Sequence, residues 1–290
     1  MIYSHNRNIV YTYLLIIVLI LIIYLPFVIK GGPGSGDDLG FHQLHNKNFM
    51  SIVNEFMISN EADRPVANFF LSGSLYLYNN VHSYYIYTGL ILWLIIPVII
   101  YNAIKVILSK RASLIISILL CFPIISTTVL SSPYLFSEYI IPILFWSLSI
   151  YFILNFTVSK NPYFYFLWIL FSGLGLFTLS YIFPLIVLSI FLPFSIDIKN
   201  TSAIKKTIKF KIFLKYSFPM VFLSGFFVYY KIYIVPLYSE FPGIYGLAPF
   251  SLKSVFQGFY YFITFTFEIP ILLLGVIPHI FNLRIISISF

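Results

Sequence analysis

Long apolar runs separated by short polar breaks account for most of this chain. They lie at about residues 9–29, 84–104, 112–130, 138–157, 163–196, 216–235 and 255–278. An α-helix needs about 20 apolar residues to cross a bilayer, because in lipid its backbone groups must be paired within the segment. The run from Tyr163 to Ser195 is too long for one ordinary span at 33 residues, and Gly173, Gly175, Ser180 and Pro184 lie near its middle. It predicts a hairpin of two short helices. The whole pattern predicts an all-α, polytopic membrane protein of about eight transmembrane helices. The first run is too long for a signal-peptide core and has no small-residue cleavage site, so it reads as a retained helix.

One polar segment is long, from about residue 30 to 83, and it has a pattern of its own. Phe49, Ile52, Val53 and Phe56 recur at helical spacing opposite Ser51, Asn54 and Glu55. A helix of this kind lies in the membrane interface with its stripe down. Asp63-Arg64-Pro65 then reads as a helix start, with Asp63 as the cap and Pro65 in the first turn. The stripe Val66, Phe69, Phe70, Gly73 and Leu77 follows. Two short interfacial helices are therefore expected within the loop.

Composition agrees with the pattern. The chain is 60% hydrophobic and 9% charged, with a mean hydropathy of +0.96, which excludes a soluble domain. The net charge of +8 is a topology signal rather than a nucleic-acid one. Lys199, Lys205, Lys206, Lys209, Lys211 and Lys215 fall in one stretch, 197–215, and Lys105, Lys110 and Arg111 in another. Basic clusters between apolar spans mark the cytoplasmic side. With Arg7 inside, 30–83 and 131–137 face outward, and 12 of the 17 basic residues lie in the cytoplasm. Residues 1–290 form a single membrane domain. The apolar end Ile285–Phe290 resembles the start of another span, so the chain is expected to be truncated at its C-terminus. The lone Cys121 permits no disulfide within the chain.

Chemistry has few places to reside. The outer loop holds Asp37, Asp38, Glu55, Glu61 and Asp63, five of the nine acidic residues, and three of the five histidines. Adjacent carboxylates such as Asp37 and Asp38 suit proton abstraction and divalent-cation binding, although Asp-Asp beside glycines is also a turn sequence. A guanidinium such as Arg64 holds phosphate through paired hydrogen bonds, and helix-start amides would reinforce that anion site. Arg64 also fits a snorkelling anchor. His42 and His45, with the Asp pair, form a candidate zinc or manganese cluster, or simply a solvated loop. Glu138 begins the fourth predicted helix at the outer face, where the helix dipole favours an acid. Lys231 and Lys253 lie toward the outer side, each a candidate phosphate contact or a snorkelling lysine. Glu268 lies deep in an apolar run, which is costly unless it is paired or hydrated. Ile204, Ile208 and Ile212 among the lysines predict an amphipathic stretch on anionic lipid.

A first helix, an outer loop opening on Asp37-Asp38, an interfacial helix and then Asp63-Arg64-Pro65-Val66 before the next span resemble the C-type membrane glycosyltransferases. The closest resemblance is to the bacterial and phage family that glucosylates O-antigen from undecaprenyl-phosphate glucose. Members tend to carry Asp-Asp and, about 20 to 30 residues later, a Gly-Arg-Pro-Leu-like motif opening a helix. Asp63 stands where that motif commonly has glycine. The resemblance covers about residues 9 to 105 by motif and the remainder by hydropathy alone. It implies a multi-pass protein of the bacterial cytoplasmic membrane that moves a sugar from a polyprenyl-phosphate donor to a cell-envelope glycan on the outer face. Asp37 and Asp38 would then be catalytic carboxylates or ligands of a magnesium or manganese ion, and Arg64 and Lys231 donor-phosphate contacts. Glu138 would be a second acidic site. The expected partners are the bilayer, the lipid-linked sugar and the glycan acceptor, with no nucleic acid. The alternatives are a transporter or flippase of lipid-linked saccharide, whose ionisable groups would lie near the bilayer midplane, and an inactive truncated relative.

Overall fold

A computed structural model describes residues 10–22, 44, 47–59, 62–78, 82–119, 133–178 and 206–240. Among these there is no strand, and the helices follow the apolar runs. In chain order they are α1 (Val10–Ile22), α2 (Phe49–Ile58), α3 (Pro65–Tyr78), α4 (His82–Ile104), α5 (Lys110–Leu119), α6 (Pro133–Ser159), α7 (Pro162–Leu176) and α8 (Lys206–Tyr229). α8 continues as a π turn, Tyr230–Ile234, and a 3-10 turn, Val235–Leu237. Among the described residues, three stretches are long and apolar enough to cross a membrane: Tyr87–Ile104, Ile140–Ser159 and Phe210–Leu237. The predicted span at 255–278 lies outside the described residues.

α1 runs antiparallel to α4. Tyr13 near its start donates to Asn102 Oδ1 at 2.8 Å near the end of α4, and Ile16 and Ile20 enter a core with Leu90, Trp93, Ile96 and Ile140. α6 turns tightly into α7 through Lys160-Asn161. The Asn161 side chain caps the amide of Tyr163 at 3.0 Å and Pro162 opens the helix, the order that a helix start favours. The two helices approach closely at small residues. Ser149 and Ser172 share a hydrogen bond of 2.6 Å, and a Cβ on Gly175 would already touch that of Phe145 at 3.6 Å. Between apolar helices in lipid this packing, rather than water exclusion, supplies the attraction.

α7 and α8 are parallel. Tyr165 meets Lys215, Trp168 meets Tyr216, Gly173 faces Leu223 and Phe177 meets Phe227, so contacts advance together along both chains. α7 ends at Leu176, which rules out one unbroken helix over the 163–196 run. The second half of the expected hairpin lies outside the described residues. α8 begins at Lys206 and not at 216, so the second half of the basic stretch 197–215 is helix continuous with the span. α6 likewise begins at Pro133, which places Glu138 in its second turn, beyond the first-turn position that a dipole argument needs.

The described part of the 30–83 segment does fold as two helices, α2 and α3, before α4 begins. Asn48 caps α2 through Ser51 N at 2.8 Å. Ile52 and Phe56 from the first stripe are buried, but against Leu71 and Leu75 of α3. The second stripe takes part in packing as well: the Phe69 ring meets that of Phe49 in α2 at 5.4 Å between centroids, and Phe70 meets Phe145 of α6 at 5.7 Å. Ala67, Asn68, Leu71, Ser72 and Leu75 of α3 are buried, while Phe69, Phe70 and Leu77 keep part of their surface exposed. Leu77, beyond these contacts, is left on an outward face suited to lipid.

Candidate functional site

Three helix ends converge where α3 begins. Such ends leave backbone groups without helical partners, and here they satisfy one another. The Val66 amide donates to the carbonyl of Phe177, which follows α7, at 3.3 Å, and the Glu240 amide donates to that of Ile58, the last residue of α2, at 2.8 Å. Ser239 Oγ donates to the Ser59 carbonyl at 3.2 Å. Tyr230 donates to the Ala62 carbonyl at 3.2 Å and lies 2.5 Å from the Tyr238 hydroxyl. Burial, foremost, and the nearby Asp63 carboxylate push the Tyr238 phenol above its ordinary value, while the Tyr230 hydrogen bond lowers it. Tyr238 therefore keeps its proton at neutral pH.

Asp63 lies at the centre of this junction. Its side chain is 8% exposed, and Lys231 Nζ, itself one-third exposed, donates to Oδ2 at 2.7 Å. Arg64 Nε lies 3.9 Å from Oδ1. The expected capping role for Asp63 is corrected: its carboxylate pairs with Lys231, while Val66, an amide of the first turn, goes to Phe177. That amide is accordingly not offered to an external anion. An intramembrane lysine is costly without a partner, and a nearly buried carboxylate requires one as much. Each residue supplies what the other needs.

Lys231 reaches Asp63 from the π turn. Val235 donates to the carbonyl of Tyr230 there, a five-residue step that widens the helix, and such single turns recur at functional positions. Pro236, which has no amide to donate, sits in the 3-10 turn that follows, so the helix cannot resume its regular ladder.

Of the residues expected from sequence, Arg64 and Lys231 are brought to one carboxylate from distant parts of the chain. Two cations and one carboxylate leave local positive charge able to attract a phosphate. Glu138 lies on the backbone of α6, and its side chain, like Asp37, Asp38, His42, His45, Lys253 and Glu268, lies outside what is described. Among the described residues, no three His, Cys, Asp or Glu side chains cluster as metal ligands would. Sequence reasoning missed the part played by Asp63, Tyr230, Tyr238 and Ser239. Lys231 in an apolar helix was a signal that an acid partner should exist, but nothing in the sequence selected Asp63. Set against protein-family profiles, curated proteins and solved structures, the chain matches none of them.

Proposed function

We propose that this chain is a membrane glycosyltransferase that takes a sugar from a polyprenyl-phosphate donor and passes it to a cell-envelope glycan at the outer face. The observation that supports this reading is the meeting of Arg64 and Lys231 at Asp63. The family resemblance implies a donor-phosphate role for both, and the two lie in segments far apart in the chain. As the bond between the sugar and the phosphate oxygen breaks, its electron pair stays on the leaving phosphate, and cations already in place would stabilise the added negative charge. The planar guanidinium orients it and the ammonium adds a point charge. Asp37 or Asp38 would take the proton of the acceptor hydroxyl. Since both lie outside the described residues, no step is assigned to the divalent cation they would hold.

The test is transfer in detergent from a radiolabelled polyprenyl-phosphate sugar to glycan, with wild type and Asp37→Asn, Asp38→Asn and Arg64→Lys variants. Transfer by wild type, lost in the carboxylate variants and reduced in Arg64→Lys, is the expected result. Absence of transfer by wild type in the presence of donor, acceptor and magnesium or manganese ions would remove the reading. A lipid-linked saccharide transporter is the second reading. The half-buried Asp63–Lys231 pair at an interrupted helix favours it, since transporters place ionisable groups on broken helices. It predicts movement of lipid-linked saccharide between the leaflets of proteoliposomes with no covalent transfer.

A further inference from the structure

The ammonium of Lys231 has three hydrogens to donate, and among the described residues Asp63 Oδ2 takes one of them at 2.7 Å. Lys231 is one-third exposed, which leaves part of the ammonium open to a ligand, whereas the Asp63 side chain is 8% exposed. The carboxylate has no room to withdraw for an incoming anion, because its backbone is pinned on both sides. The Ala62 amide donates to the Ser59 carbonyl at 3.2 Å and the Val66 amide to that of Phe177 at 3.3 Å. Tyr230 holds the Ala62 carbonyl at 3.2 Å. An anion that reaches Lys231 therefore finds Asp63 still in place. Two acceptors on one ammonium stand about 4–5 Å apart. At that distance the carboxylate repels the anion in proportion to the charge the anion carries.

We infer that Asp63 sets the charge that this phosphate site retains: it opposes the lipid phosphate left after transfer more than the sugar-bearing phosphodiester that enters. The inference rests on the transferase reading. In that reaction the bond from the sugar's anomeric carbon to the phosphate oxygen breaks, and its electron pair stays on the oxygen. The acceptor oxygen bonds to the same carbon and gives its proton to the base. The phosphate so passes from a diester with one charge to a monoester with about 1.5 to 2 at neutral pH. Cations alone would hold that product more tightly than the donor, and turnover would wait on its release. The repulsion from Asp63 counts once against the donor and nearly twice against the product. Asp63 touches no reacting atom in this account; it determines which charge stays bound.

The experiment measures binding of three ligands to the whole chain in detergent at about pH 8, where the monoester is doubly charged. They are a short-chain polyprenyl phosphate, its singly charged methyl diester and the uncharged polyprenol. Wild type is expected to bind both phosphates, and more tightly than the polyprenol. Asp63→Asn leaves an acceptor for Lys231 and removes the charge. It should tighten the diester about tenfold and the monoester about a hundredfold, the square of the first factor because the charge is doubled. Polyprenol binding, unchanged, shows that the variant is folded. Asp63→Ser should shift the ratio in the same direction, and Asp63→Glu should keep it near that of wild type. At about pH 5, below the second pKa of the monoester near 6, both phosphates carry one charge and Asp63→Asn should tighten them equally. Under turnover Asp63→Asn should lower KM for the donor and kcat together, with a burst of first-turnover product. Equal tightening of the two phosphates at the higher pH overturns the inference. So does weakening of both, which makes Asp63 only a brace for Lys231; the transferase reading survives either result. If wild type binds neither phosphate better than polyprenol, the phosphate site is absent and both fall.

Discussion

Tyr165 donates its phenolic hydrogen to the main-chain carbonyl of Lys215 at 2.6 Å, and that is the carbonyl which Pro219, four residues on in α8, leaves without a helical amide. Proline inside a helix removes one donor of the ladder; here the neighbouring helix supplies it. An unsatisfied carbonyl costs about 1–3 kcal/mol, with hydrogen bonds between membrane helices at the lower end of that range. Tyr165→Phe keeps the ring against Phe156 and Trp168 and loses only the donor. The expected loss is about 1 kcal/mol, read by reversible unfolding in mixed micelles. In a Pro219→Ala background the amide returns and the same substitution should cost close to nothing. An equal cost in both backgrounds would show that the pairing does not matter.

The Asp63–Lys231 pair should behave as a half-buried brace. Lys231→Met leaves a carboxylate that is 8% exposed without its principal partner. The expected destabilisation is about 2–3 kcal/mol, below the 3–5 kcal/mol of a fully buried pair because Lys231 still reaches water. Asp63→Leu combined with Lys231→Met should recover most of the loss, because both desolvated charges are gone. That rescued protein separates structure from chemistry. If it folds and transfers no sugar, Lys231 does more than brace; if transfer returns with stability, bracing is its whole role.

Of the about eight expected spans, the three found among the described residues, within α4, α6 and α8, were legible because helices in lipid are specified by long apolar runs. Helix boundaries were less so. α8 starts ten residues early because lysines at a membrane surface extend a helix without interrupting it, and hydropathy alone reads them as loop. Periodicity located α3, but which neighbours its residues meet, Phe69 with Phe49 of α2 and Phe70 with Phe145 of α6, was not legible because it depends on tertiary packing. At the candidate site Arg64 and Lys231 were individually visible as cations in apolar surroundings. Their meeting at Asp63 was not, since it depends on a tertiary contact between segments with no local pattern linking them. The π turn was equally hidden, with Pro236 its only trace.

The outward stripe of α3 should touch lipid. Phe69 is 56% and Leu77 72% exposed, while Leu75 is 1% exposed. Nitroxides attached at Phe69→Cys, Leu77→Cys and Leu75→Cys, in a Cys121→Ser background, can be probed by collision in bilayers. The first two should meet oxygen far more often than a water-soluble nickel chelate, and the third should meet neither. Preferential collision of Phe69→Cys and Leu77→Cys with the nickel chelate would place the stripe in water, and α3 would not be an interfacial helix.

Transmembrane orientation makes the sharpest test of the parallel α7–α8 pair. Because α8 runs from the lysines to the Asp63 junction, Lys211 and Met50 belong to opposite ends of the structure. Both are exposed, and the basic end is expected in the cytoplasm. In a Cys121→Ser background, Met50→Cys should react with an impermeant maleimide in intact cells, and Lys211→Cys should react only after permeabilisation. The reverse pattern would keep the parallel pair but turn the molecule over, moving the Arg64–Lys231 site to the cytoplasmic face and removing the case for an outer-face transferase. Labelling of both in intact cells would place the two ends on one side, which a membrane-spanning α8 does not allow.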